Sequence, residues 1–274
     1  MDLFTIDQDK CNRDGLCVIE CPARIIELID PQAFPSPVKN AEENCLKCGH
    51  CVAICPLGAL TLKDMPLDEC PPLQKELLPN AEHIRHFLKA RRSIRRFKEK
   101  SVPHELINNL IDTARYAPTG SNKQQVNWMV VENPAEVRQL AAIVIDWTRL
   151  IIQQVPDKEI VSRMERLAAR WNDGVDPILQ GAPHLILVHS QKDLPSAQTD
   201  CVIALTYLEL YASAQGLGTC WAGYFTSAAN TYPPLAQALN LPAEHHCFGA
   251  VMLGYPRYKY TRIPKRNAPL VTWR

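Results

Sequence analysis

Two twelve-residue loops constrain this chain more than anything else in it: CNRDGLCVIECP from Cys11 and CLKCGHCVAICP from Cys45. The second reads C-x2-C-x2-C-x3-C-P. The first keeps the frame but has Asp14 where the second cysteine belongs. Four thiolates at this spacing suit a cubane of iron and sulfide. Three close cysteines wrap one cluster, and the fourth, followed by proline, reaches the other. Two such loops therefore form a reciprocal pair, with Cys45, Cys48 and Cys51 joined by Cys21, and Cys11 and Cys17 joined by Cys55. Zinc, which takes four tetrahedral ligands, fits seven cysteines in this frame poorly. For Asp14 three readings stand. It ligates the fourth iron through a carboxylate oxygen, or a small exogenous ligand does. That iron is absent, leaving a 3Fe-4S rather than a 4Fe-4S cluster. Or the first site is vestigial, against which Cys11, Cys17, Cys21 and Pro22 stand in frame; Asp is also an ordinary turn residue before Gly15.

Over residues 1–62 this pattern resembles the two-cluster bacterial ferredoxins, which implies two iron-sulfur clusters and a small ferredoxin-like domain. The remaining cysteines, Cys70, Cys201, Cys220 and Cys247, are scattered and read as core or inert thiols. The N-terminus has no basic start followed by an apolar run, so no signal peptide is expected, the compartment expected is cytoplasmic, and disulfides are not. With 274 residues, 46% hydrophobic content and a formal net charge of +1, the chain has material for one large or two modest domains. It carries no global field to attract nucleic acid or an anionic membrane. Its longest apolar stretch, residues 201–214, contains Glu209 and is too short and polar to span a bilayer.

Residues 63–80 hold four prolines and read as a linker. From residue 81 to 274 helical and strand patterns mix. Ile84, Phe87 and Leu88 fall on one helical face. Ser101 reads as a cap with Pro103 in the first turn, ahead of a stripe of Leu106, Ile107, Leu110, Ile111 and Ala114. The stretches 134–147 and 201–215 read as helices, and 146–182 as a helical cover. Residues 126–132, 184–190 and 248–254 read as buried strands. The class expected is α+β, with a central sheet.

Residues 85–100 carry eight Lys or Arg against one Glu. Alone this is equally a nucleic-acid patch or a solvated helix, but Ser93, Ile94 and Phe97 interrupt it. RRSIRRF (91–97), APTGSNKQQ (117–125), GLGTCWAGYF (216–225) and LGYPRYKYTRIPKR (253–266) together resemble the nitroreductase family, in family order. GLGTCWAG is not a dinucleotide fingerprint, since its glycine spacing differs and it follows a helix. The resemblance implies a homodimeric α+β fold with flavin mononucleotide (FMN) at the subunit interface, the 201–215 helix being the expected dimer contact. Carried over by motif, the flavin contacts are Arg91, Ser93 and Arg95, with Arg92 beside them; Thr119, Gly120, Asn122 and Gln124; the backbone at Ala222 and Gly223; and Arg266 with Lys265. Arginine forks suit a flavin phosphate. Where Ala222 stands, many relatives carry an acidic residue. No catalytic acid, base or nucleophile is legible, and His184, His189 and His245 receive no catalytic role. The expected activity is oxidoreduction. Electrons arrive through the clusters from a low-potential donor such as a ferredoxin, and a small organic acceptor, a nitro compound or a quinone, takes them. Two other classes stand beside it: an NAD(P)H-linked reductase or dehydrogenase with the clusters as electron exit, and a non-enzymatic redox carrier or sensor.

Overall fold

The computed structural model describes residues 3–274. It divides into a first unit that runs to Pro79 and takes in Ser121–Lys123, and a second made of Asn80–Gly120 and Gln124–Arg274.

In the first unit, β1 (Phe4–Ile6), α1 (Leu16–Glu20), β2 (Ile26–Glu27), β3 (Ser36–Pro37), α2 (Ala41–Asn44), α3 (His50–Ile54) and β4 (Leu60–Leu62) follow one another. β1 pairs antiparallel with β4, and β2 with β3. The elements are short because each loop turns back after a single helical turn. Phe4, Ile25, Ile26, Val52, Leu60 and Leu62 form a small core into which Cys17, Cys21 and Cys51 are packed. The proline-rich stretch starts on this core: Met65 and Cys70 lean against it. Two short 3-10 turns, Leu67–Glu69 and Lys75–Leu77, follow.

The second unit contains α4 (Ala81–Ala90), α5 (His104–Ala114), β5 (Asn127–Val131), α6 (Pro134–Gln154), α7 (Lys158–Asn172), β6 (His184–Gln191), α8 (Ala197–Ala214), β7 (Gly218–Trp221), α9 (Gly223–Thr231), α10 (Pro233–Leu239) and β8 (His245–Gly254). The strands form one antiparallel sheet in the order β5-β6-β8-β7. β6 carries the unbroken apolar run 185–188 because both of its faces are covered there. Leu185 and Leu187 join the core under α6, α9 and α10, and Ile186 and Val188 join the one under α5 and α8. The three strands expected from the sequence are present. β7 is additional: GTCW, four residues long and directly after a helix, carries no strand pattern of its own.

Two expectations for the helices change. α5 starts at His104, and Ser101 does not cap it. Val102 is buried between exposed Ser101 and Pro103, and its amide donates to His184 Nε2 at 2.8 Å, which ties this stretch to β6. α4 forms where expected, capped by Asn80, whose side chain accepts from the His83 amide. Its apolar face is nevertheless uncovered within the chain, with Ile84 39% and Leu88 50% exposed. Between β5 and β6, α6 and α7 pack on each other, and Asp157 caps α7 through the amides of Glu159 and Ile160. Among the described residues no helix is long and apolar enough to cross a membrane.

Candidate functional site

The two cysteine loops repeat each other in backbone as well as sequence. Arg13 and Lys47, 34 positions apart like Cys11 and Cys45, are both left-handed, at φ 60° and 49°. Gly15 (φ 71°, ψ 5°) and Gly49 (φ 72°, ψ 4°) follow as the residues before α1 and α3. A side chain there would be strained. Cys21 and Cys55 close the two helices at nearly identical angles, φ −68° and −67° with ψ 109° and 111°. Asp14 thus stands at the step that Cys48 takes in an otherwise unaltered loop. Its Oδ1 accepts from the Leu16 amide at 3.0 Å, the ordinary turn contact, which leaves Oδ2 unengaged by that bond.

Each loop frames a cavity, and the linings cross over. One is lined by Cys45, Cys48 and Cys51 with Cys21 and Pro22. The other is lined by Cys11, Asp14 and Cys17 with Cys55. The surroundings differ, since apolar Phe4, Ile25, Ile26 and Leu62 wall the first while Lys10, Asn12 and Arg13 edge the second. Backbone amides already meet sulfur: Lys47 donates to Cys45 Sγ at 3.4 Å and Ala59 to Cys55 Sγ at 3.2 Å. The donor set and the N–H groups fit iron-sulfur clusters in both places.

In the second unit, residues 91–98 run extended beside the sheet. The Ile94 amide donates to the Thr219 carbonyl at 2.8 Å and the Lys98 amide to the Tyr255 carbonyl at 2.9 Å. Ile94 is buried against Gly218, where an added Cβ would come within 2.5 Å of it. Chain alternation turns Ser93 and Arg95 to the other side. Burial pushes the Cys220 thiol up, while Arg95, Ser93 and Arg91 beside it pull the other way. Arg91, Ser93 and Arg95 are therefore gathered around the start of GTCWAG. Arg92 is half-buried and lines a groove with Tyr258, Lys259 and Tyr260. Arg91 Nη1 is buried with no hydrogen-bond partner, 3.7 Å from Glu209 Oε1, while the side chain as a whole stays 27% exposed.

The PTGSNKQ loop is held from α8. The Gly120 amide donates to Asp200 Oδ1 at 3.0 Å, and Ser196 donates to Oδ2. Thr119 Oγ1 accepts from the Gln124 amide at 3.0 Å. Ser121, Asn122 and Gln124 all have φ between 51° and 54°. Strain of this kind is stored at functional loops. Asn122 does not present its amide as the motif led one to expect. Within the first unit it donates to the carbonyls of Leu46 and Lys47, at 3.1 and 2.9 Å. Ala222 likewise spends its amide on the Ala250 carbonyl at 2.8 Å. Gly223 opens α9, where a helix leaves its amides unbonded. Lys265 and Arg266 stand exposed in the irregular C-terminal segment.

Two buried acids on α8 received no role from the sequence: Asp200 and Glu209 are 6% and 5% exposed. The signal was present: an acid inside a largely apolar helix is tolerated only with partners. His184 ties three segments together. Nε2 accepts from Val102, so Nδ1 carries the proton and donates to the Glu132 carbonyl at 2.9 Å.

Residues 88–255 match the nitroreductase family, and residues 3–56 match the 4Fe-4S dicluster domain. Human iodotyrosine deiodinase 1 is 24% identical over 205 residues, covering 72% of this chain and 69% of that protein. Among solved structures, a nitroreductase with bound FMN from Bacteroides fragilis is 22% identical with a TM-score of 0.57, covering 71% of this chain and 100% of that one. An iodotyrosine deiodinase bound to FMN and 3-iodo-L-tyrosine is 25% identical with a TM-score of 0.54, covering 70% and 98%.

Proposed function

Because the chain belongs to the nitroreductase family and joins that domain to a 4Fe-4S dicluster domain, we propose that it is an FMN-dependent oxidoreductase fed with electrons through iron-sulfur clusters. The observation that carries this is the crossed lining of the two cavities, each drawing thiols from both cysteine loops, in one chain with a flavin-type fold. Bound there, the clusters supply single-electron transfer and the flavin supplies two-electron reduction of an organic acceptor.

The chain's own residues have defined tasks. Cys45, Cys48, Cys51 and Cys21 hold one cluster. Cys11, Cys17 and Cys55 hold the other with Asp14, whose Oδ2 is the oxygen not taken up by Leu16. Arg91 and Arg95 fix the flavin phosphate as charged forks, and Ser93 adds a hydroxyl. Thr119, Gly120 and Gln124 form a strained loop tied down by Asp200. The Gly223 amide is the backbone donor at the reactive edge of the ring, Ala222 being engaged by Ala250. Lys265 and Arg266 reach a flavin across a homodimer, where an exposed C-terminal arm of one copy meets the other. The outer face of α8 supports that dimer: Val202 is 36% and Tyr207 41% exposed, in a stripe with half-buried Ile203 and Leu210.

The acceptor is a nitro compound or a quinone. The deiodinase relatives favour a second reading, a halogenated phenol: two electrons and one proton replace the carbon–halogen bond by carbon–hydrogen and release halide. Anaerobic titration of cluster and flavin absorbance with a reduced ferredoxin, NADH and NADPH, followed by nitroarene, quinone or iodotyrosine, tests both. Bleaching by the ferredoxin and recovery with one acceptor is expected. Complete bleaching by a nicotinamide alone, with no reduction by ferredoxin, would reverse the proposed direction of flow.

A further inference from the structure

Glu209 sits in the middle of α8 with both carboxylate oxygens claimed. Oε1 accepts from the Thr219 hydroxyl at 2.8 Å, and Oε2 accepts from the Trp221 indole at 2.5 Å. Arg91 Nη1 stands 3.7 Å from Oε1. That is a charge–charge distance and too long for a hydrogen bond. A structural arginine–carboxylate pair closes to a bidentate fork with short bonds. Here the neutral hydroxyl and indole occupy the positions such a fork would use. The arginine is drawn inward by the buried charge: Nη1 is sealed from solvent beside the carboxylate, and the rest of the side chain carries its 27% exposure. A guanidinium anchored by charge on its inner edge and open on its outer one is a pre-organised anion receptor.

We infer that Glu209 is a positioning residue for the flavin phosphate, acting through Arg91. This rests on the FMN reading above. Thr219 and Trp221 keep the carboxylate from rotating onto the arginine, and the carboxylate keeps the arginine from extending into solvent. Without Glu209 the cation loses its buried counter-charge and swings outward, and the phosphate loses a fork.

The test is titration of flavin-depleted protein with FMN and with riboflavin, followed by quenching of flavin fluorescence, in wild type, Glu209→Gln, Arg91→Ala and the double variant. Riboflavin lacks the phosphate, so it separates a phosphate effect from general damage. Glu209→Gln is expected to weaken FMN about tenfold, the scale of one charge-assisted contact, and to leave riboflavin within about twofold. The double variant should be no weaker than Arg91→Ala. Thr219→Val is expected to weaken FMN severalfold, because the freed Oε1 can then close on Arg91; it also covers a failure of Glu209→Gln to fold. Unchanged or tighter FMN binding by Glu209→Gln, or equal weakening of FMN and riboflavin, overturns the inference. If Arg91→Ala weakens FMN and Glu209→Gln does not, the flavin site stands and only the positioning role falls. If Arg91→Ala has no effect, Arg91 leaves the flavin site and the inference goes with it.

Discussion

Asp14 and Cys48 occupy the same step of two loops whose backbones match, so the exchange of a sulfur for a carboxylate is chemical and not conformational. A thiolate donates more electron density to iron than a carboxylate does. Asp14→Cys is therefore expected to complete a four-thiolate site and lower the potential of that cluster, read by low-temperature EPR of the reduced protein along a potentiometric titration. Unchanged spectra and potential would make Asp14 a turn residue only. His184 carries a different prediction. Burial lowers its pKa below the ordinary 6.5, and burial followed by the charge of His245 does the same for His189, whose Nδ1 lies 2.8 Å from His245 Nδ1. Protonating His184 would set an N–H against the Val102 amide. With the folded pKa depressed, the unfolded chain binds protons more readily. The stabilisation is thus present above pH 6.5 and lost as the pH falls through the folded pKa. The stability of the protein in urea should drop below that point, by at most about 1.4 kcal/mol per pH unit for each such histidine. His184→Gln, which can still accept and donate, should flatten the drop. An equally steep loss in that variant would assign it to other groups.

α8 is the element on which most of the second unit converges. One side supplies Cys201, Leu205, Leu208 and Ala212 to the core. Asp200 ties down the PTGSN loop and Glu209 faces β7 and Arg91. The side left over, with Val202 and Tyr207, is apolar and uncovered by the chain itself. Tyr207→Asp should leave the core intact and disrupt dimers formed through this face. An unpaired carboxylate in an apolar contact costs several kcal/mol, roughly a hundredfold or more in association. Light scattering across a dilution series reads it directly. A variant that stays dimeric at the wild-type dilution limit would place the interface elsewhere, the uncovered face of α4 being the next surface to examine.

For the molecule as a whole, the division into two units predicts that its two kinds of cofactor can be lost separately. Arg95→Ala should weaken FMN about tenfold or more, the value of a charge-assisted contact, with iron and acid-labile sulfide unchanged. Cys48→Ala should damage one cluster and leave flavin bound. It should also abolish reduction by a ferredoxin while chemical reduction of the flavin persists. Normal turnover of the Cys48 variant with ferredoxin would show that electrons reach the flavin by another route, and the joining of the two domains would then require a different explanation.

What the sequence determined by itself lies within short stretches. A cluster loop is spelled out by a few cysteines, a glycine and a proline, because thiolate spacing and left-handed turns are local properties. The helices of residues 104–172 and the strands β6 and β8 were legible for the same reason, since periodicity and unbroken apolar runs report burial directly. The arginine motif at 91–95 and the loop at 119–124 could be named from resemblance. Their surroundings could not. Tertiary structure decided that Ser101 caps nothing, because His184 takes the neighbouring amide from 82 residues away. It made GTCW a strand by setting it beside β8, and engaged Ala222 with Ala250. It also brought Glu209 to Arg91, Thr219 and Trp221. Each of these is a buried polar group meeting a partner remote in sequence or on another element, and such pairings are fixed by packing, which leaves no periodic trace along the chain.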